Sequence, residues 1–246
     1  MTSRVSGPAP EGAVATGTFW WRRDIRPGVT AAFTQVEAGN LAFHVGSDDD
    51  GVRRHRSALA AAVGAERVQY MEQVHGSTAV WADECGTAPV ADALLSRGLP
   101  VAVMVADCVP ILLVGQFDDG SVAVGAVHAG RVGLAGGVVV AAVEALRGRG
   151  VVDLEAWIGP SICGRCYEVP ASLREEVASL VPGTASTTSW GTPALDLPAG
   201  VMAQLAALDV PGHLEAAACT FEEPRLFSHR RAPGEGRFAG IVWSHG

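Results

Sequence analysis

Three short valine-rich runs, Val101–Val105, Ile111–Val114 and Val122–Val127, follow one another in this chain with no helix-length insert between them. Short apolar, β-branched runs bounded by Gly, Asp or Pro read as strands. Parallel neighbours need a crossover of about a dozen residues or more, so the stretch from residue 67 to residue 127 favours antiparallel pairing over a Rossmann series. Helical periodicity occurs over Gly51–Val63, Ala135–Arg147, Pro170–Leu180 and Pro198–Leu208, with Gly or Pro near many of the ends. The expected fold class is α+β: one compact domain over residues 19–246, with mixed, largely antiparallel sheets flanked by helices. Residues 1–18, rich in Gly, Pro, Ala and Ser, are expected to form a flexible tail, and the polar segment Pro182–Pro193 a long surface loop.

Charge narrows the partners. A formal net charge of −8 opposes binding to a phosphate backbone, which draws its affinity from clustered positive charge. A small ligand is the expectation, with no nucleic acid. All 18 basic residues are Arg, so neither a Schiff-base lysine nor a Walker-type lysine is available. Any cationic catalytic group must be Arg or His. The valine-rich stretches are interrupted by Gly, Asp or Arg well short of a membrane span. Five cysteines, an odd number without an export signal, point to reduced thiols and a cytoplasmic setting. The oligomeric state is left open, a monomer being compatible.

Three residues stand out as metal-ligand types in one structural context. His75 follows a strand-like run and precedes Gly76, Cys108 follows Val101–Asp107 with Pro110 just beyond, and His128 follows Val122–Val127 before Ala129-Gly130. Each is expected at a strand end. Two imidazoles and a thiolate suit Zn²⁺, with copper tolerated by the same donors, and three protein ligands leave a fourth position open, as in catalytic sites. The separations of 33 and 20 residues match no short zinc motif, and a cysteine after an apolar strand is also ordinary core filler. The same residues admit a cysteine hydrolase or amidase, with Cys108 as nucleophile and His128 as base. A metal-binding regulator without catalysis is a further alternative, which the open position argues against. Asp92 could orient a ligand imidazole or cap a turn. Cys163-x-x-Cys166 has no evident helix to lower a thiol pKa and reads as a structural or incidental pair. Cys85 and Cys219 read as core or loop thiols, and His55, His213 and His245 as surface residues.

The strings Gln73-Val74-His75-Gly76, Ala106-Asp107-Cys108-Val109-Pro110 and His128-Ala129-Gly130-Arg131 together resemble the YfiH-type (FAMIN-like) family, also labelled laccase-domain or multicopper polyphenol oxidoreductase. Matching blocks follow in order at Asn40–Gly46, Ala91–Leu94, Ile158–Ile162 with Cys166–Val169, and Gly236–Gly240. The resemblance implies a YfiH-like fold and a mononuclear zinc enzyme with His75, Cys108 and His128 as ligands. It implies cleavage of purine nucleosides (adenosine, inosine, methylthioadenosine) by phosphate into free base and ribose 1-phosphate, with adenosine deaminase activity besides. Arg131 is then the expected catalytic anion-binding group, in a Gly-rich loop leading into the Ala135 helix. Asn40, His44, Arg56, Arg230 and Arg237 are the expected substrate-binding residues, and Phe43, Tyr167 or Phe227 could stack on a purine or simply fill the core.

This chain departs from the family pattern at three places. Arg131-Val132 stands where many relatives carry Trp and then Arg, Ser47 where an acidic residue is usual, and His229 where an aromatic is usual. Peptidoglycan-precursor editing is also attached to the family. The laccase label itself fits poorly, since a multicopper centre needs more imidazoles than seven scattered histidines with no His-x-His string supply.

Overall fold

The computed structural model describes residues 17–82 and 87–245, so Cys85 and nearly all of the expected tail lie outside the described residues. The first half of the chain forms β1 (Phe19–Arg26), β2 (Val29–Thr34), α1 (Asp49–Val63), β3 (Ala79–Trp81), β4 (Ala93–Ser96), β5 (Val101–Val105), β6 (Val109–Gln116) and β7 (Val122–Ala129). There follow α2 (Arg131–Ala135), α3 (Val138–Arg147), β8 (Val152–Ile158), α4 (Ala171–Leu180), β9 (Ala185–Thr187), β10 (Pro193–Leu195), α5 (Leu197–Ala207), β11 (Gly212–His213) and β12 (Phe238–Ser244).

The strands form a six-stranded sheet in the order β11-β8-β6-β7-β4-β3, a four-stranded sheet in the order β1-β2-β12-β5, and the hairpin β9-β10. Among the named strands of the described residues, β3–β4 and β8–β11 are the parallel pairs, so the α+β expectation of mixed, largely antiparallel sheets holds. Alternation along the strands then makes four layers. From β5, Val101, Val103 and Val105 meet Leu112, Val114, Val124 and Ala126 of the other sheet, while Ala102 and Met104 turn to α1 at Leu59, Ala60 and Val63. Ile111 and Leu113 of β6 face α3 and α5 through Val139, Val143, Val201 and Leu205. Strands covered on both faces read as unbroken apolar runs rather than as alternating ones, which explains the valine-rich stretches.

The contact between the sheets leaves no room at two glycines. A Cβ on Gly159 would lie 2.2 Å from Phe33 Cε1, and one on Gly240 would lie 2.8 Å from the same atom. The Phe33 ring is fully buried and has nowhere to move. Gly159→Ala is therefore expected to cost about 1–3 kcal/mol as overpacking. It should appear as a lower urea midpoint with an unchanged slope; an unchanged midpoint would show that the sheets can separate locally.

Four expectations about the fold need correction. Helix Ala135–Arg147 is broken at Gly136-Gly137, where Gly137 takes φ 83°, giving the one-turn α2 and a separate α3. The segment Pro182–Pro193 is no open loop: Ala185–Thr187 pairs with Pro193–Leu195, and the Thr188 and Thr192 hydroxyls meet at 2.8 Å across the turn. Pairing of β6 with β7 persists to Val109–Ala129, so His128 sits inside a strand and not beyond its end. The α1 start moves from Gly51 to Asp49 because the Asp48 carboxylate caps it, accepting from Gly51 N at 2.8 Å.

Candidate metal centre

His75, Cys108 and His128 arrive from three elements, and a single buried carboxylate organises two of them. Asp92, at the entry of β4, is fully buried. It accepts from the backbone N–H groups of Val74 (3.3 Å), His75 (3.0 Å) and Gly76 (2.6 Å), and lies 2.7 Å from His128 Nδ1. It thus does both things the sequence left open, fixing the turn and orienting an imidazole. The turn needs that support because His75 has φ 61°, a conformation most residues avoid. Gln73 adds a second anchor, exchanging two 2.8 Å hydrogen bonds with the backbone of Met104 in β5.

Cys108 occupies the tight connection between β5 and β6. Asp107 before it has φ 87°, and its carboxylate accepts from the Thr220 hydroxyl at 2.6 Å and from Arg230 N at 2.6 Å. Asp107 therefore ties two distant loops to the thiol. No sequence signal assigned it this task beyond an acidic residue at the end of an apolar strand.

The donor atoms of the three residues lie within 4.8 Å of one another. Cys108 Sγ is 3.9 Å from His75 Nε2, and the two imidazoles meet edge to face with centroids 4.7 Å apart. Zinc–sulfur and zinc–nitrogen bonds of about 2.3 and 2.0 Å at a tetrahedral angle set S and N about 3.5 Å apart. The Cys108–His75 pair reaches that separation with a contraction of a few tenths of an ångström. With Nδ1 of His128 held by Asp92, its Nε2 is left to face Cys108 and a metal ion, an arrangement typical of metal-ligating histidines. The electrostatics couple the thiol to the imidazoles. Burial would push the Cys108 thiol up, but the His128 charge and hydrogen bonds from both imidazoles bring it down to about 6. Burial alone would lower His128, yet the Cys108 thiolate and Asp92 raise it to about 9.

The centre opens into a cavity of about 280 Å³ lined by His75, Cys108, Arg131, Tyr167, His229 and Arg230, among others. Arg131 does not precede a long helix as expected; it is itself the first residue of α2. Arg230 donates to Glu168 O at 3.0 Å and its guanidinium lies 5.2 Å from the Tyr167 ring centroid. Arg237 and His44 border the same region: the charges of Arg237 and His75 act on His44, and those of Cys108 and Asp107 act on Arg237. Asn40 and Arg56 stand further back. Asn40 spends its amide on Ala42 O and Val45 O and its carbonyl on Ala42 N and Arg237 N. Arg56 donates to Leu41 O at 2.8 Å and lies between the Tyr70 and Phe43 rings. Of the three aromatic residues, Tyr167 lines the cavity, Phe43 is exposed against Arg56, and Phe227 is core. His55 and His213 are half-buried rather than superficial, held by Asn40 O and Glu155, and only His245 stays exposed. A larger depression, about 810 Å³, lies at Arg26, Arg147, Asp153 and Asp209, away from any of these donors.

The family model described as multi-copper polyphenol oxidoreductase laccase matches residues 26–245. Among curated relatives, a Streptomyces griseus protein named purine nucleoside phosphorylase ORF3 is 47% identical over 214 residues, covering 83% of this chain and 86% of its own. The solved structure of Neisseria meningitidis protein NMB0706 superposes with a TM-score of 0.78 at 30% identity, covering 92% of this chain and 99% of that one. A Bacillus licheniformis protein, YfiH, shares the fold at 22% identity and a TM-score of 0.75, over 94% of this chain and 98% of its own. Among the described residues no helix is long and apolar enough to cross a membrane. With two-sheet architecture, ordered sequence blocks and overall similarity in agreement, the chain belongs to the YfiH-type family, whose model carries the laccase description.

Proposed function

We propose that this protein is a purine nucleoside phosphorylase with adenosine deaminase activity, using Zn²⁺ held by His75, Cys108 and His128. The observation that carries the reading is the juxtaposition of that donor set with Arg131 and Arg230 in one cavity. Relatives bearing the phosphorylase name support it. Phosphorolysis breaks the bond from C1′ to the purine nitrogen and forms one from C1′ to a phosphate oxygen, so the site must hold a dianion beside the sugar. Arg131 and Arg230 supply fixed positive charge to the cavity lining, and guanidinium geometry suits bidentate phosphate contacts. Burial, then the Cys108 charge, pushes the Tyr167 hydroxyl up, so it remains a hydrogen-bond donor to nucleoside at neutral pH. Zinc, when bound, supplies a Lewis acid and lowers the pKa of water towards neutrality, the chemistry that deamination requires. Arg56 and Asn40 position the loop that carries His44, and Asn40 also holds the backbone of Arg237.

Adenosine incubated with and without phosphate, beside a His75→Ala control, tests this. Phosphate-dependent adenine and ribose 1-phosphate, with inosine formed independently of phosphate, are expected from the wild type and absent from the control. Wild-type protein that converts adenosine to neither overturns the reading. One observation favours a second mechanism: Asp92, His128 and Cys108 are ordered like the carboxylate, imidazole and thiol of a cysteine hydrolase. Metal content separates the two, because a thiolate engaged by zinc is a poor nucleophile. A hydrolase of this kind would be active after chelation, whereas the zinc enzyme would not.

A further inference from the structure

Cys163-x-x-Cys166 and Cys219, read from sequence as a structural or incidental pair and a core or loop thiol, are brought together by the fold. Cys163 to Cys166 is a tight turn, with Cys166 N and Tyr167 N donating to Cys163 O at 2.9 and 3.0 Å. The chain repeats the device at Cys219-Thr220-Phe221-Glu222, where Glu222 N and Glu223 N donate to Cys219 O at 3.2 and 2.9 Å. The two turns lie side by side because Ser161 N donates to Ala218 O at 3.0 Å and Thr220 N to Ser161 O at 3.1 Å. All three sulfurs and a Glu222 carboxylate oxygen fall within 4.8 Å of one another, and Cys166 Sγ is 3.6 Å from Glu222 Oε1. None of the three thiols is in a disulfide.

We propose that Cys163, Cys166, Cys219 and Glu222 form a second metal site that holds one thiophilic divalent cation, Zn²⁺, in a closed four-coordinate shell of three sulfurs and one oxygen. Paired ligands three residues apart on two adjoining turns are how structural zinc sites are assembled, and a filled shell marks a structural role. Tetrahedral bonds of about 2.3 Å to sulfur and 2.1 Å to oxygen put S and O about 3.6 Å apart, the separation already present between Cys166 and Glu222. As each Zn–S bond forms an S–H bond breaks, and three protons leave to water. The resulting excess negative charge faces Arg165, whose guanidinium lies 3.9 Å from Glu222 Oε2. The clamp fixes neighbours that matter. Tyr167, next to Cys166, lines the cavity, and Thr220, next to Cys219, holds Asp107 beside Cys108.

Cobalt titration of the full chain, purified under reducing conditions and stripped with chelator, reads this site without reference to activity. In the His75→Ala protein, which lacks one ligand of the first centre, Co²⁺ alone is expected to give intense thiolate-to-cobalt absorption from several sulfurs, displaced by Zn²⁺. Cys219→Ser in that background should remove most of it. Glu222→Gln, at an exposed position, should leave circular dichroism unchanged and weaken Co²⁺ binding about tenfold or more. Absorption that survives Cys219→Ser, or its absence from a folded His75→Ala protein, would overturn the proposal. So would a disulfide among these cysteines in protein isolated without oxidant.

Discussion

Asp92→Asn is expected to lower metal affinity at the His75–Cys108–His128 centre about ten- to a hundredfold, the usual cost of losing a carboxylate behind a ligating histidine. The reasoning follows from how many tasks the side chain performs. It is fully buried, and its two oxygens receive three backbone N–H groups of the His75 turn together with His128 Nδ1. An asparagine keeps the volume but turns one acceptor into an NH₂ group that must face N–H donors. The turn then loses hydrogen bonds that hold His75 at φ 61°, and the His128 ring loses the partner that fixes its tautomer. Two ligands are disturbed by one atom. A stability loss of about 2–4 kcal/mol accompanies this, because donors left unpaired in the interior pay their full desolvation cost. Competition against a fluorescent chelator measures the affinity and urea unfolding the stability. An affinity equal to the wild type's would show that Asp92 caps the turn and does nothing for the metal.

What could be read from the sequence follows a physical division. His75, Cys108 and His128 could be grouped from the sequence because each is a ligand-type side chain beside a glycine or proline break, although the strand end expected at His128 lies one residue beyond it. The start of the helix over Gly51–Val63 was placed two residues late because the Asp48 cap went unread, but the helix itself was readable from its periodicity and the Gly64 that ends it. Asp107 was not, since its meaning lies in partners 113 and 123 residues away. Gln73 is similar, acting only through a strand 31 residues on. The three-thiol cluster was missed because Cys219 lies 56 residues from Cys163 and the fourth donor is a glutamate, which a search for paired cysteines passes over. The four layers were hidden too. An apolar run buried on both faces does not say whether a helix or a second sheet covers it.

Gly130→Ala separates the chemistry of the centre from the stability of the fold more sharply than loss of a ligand can. Gly130 has φ −74° and ψ 169°, extended backbone that alanine adopts freely, so the substitution should be stabilising by about 0.4–1 kcal/mol through the unfolded chain alone. Its Cβ, however, would stand 2.8 Å from His75 Cδ2, 3.2 Å from Cys108 Sγ and 3.6 Å from His128 Cε1. The methyl group is aimed at all three donors. His75 is exposed on its loop and can swing away, which relieves the clash cheaply but dismantles the donor set. The expected outcome is thus a midpoint within about 1 kcal/mol of wild type, loss of one metal equivalent per chain, and loss of nucleoside turnover. Gly133→Ala provides the contrast, because its Cβ would lie 2.6 Å from Gly76 O, a backbone atom that cannot rotate aside. That change must push α2 off the His75 turn, so stability and metal binding should fall together. If Gly130→Ala instead lowers stability as much as Gly133→Ala and keeps its metal, His75 is held rigidly from elsewhere, and Gly130 serves packing rather than access to the centre.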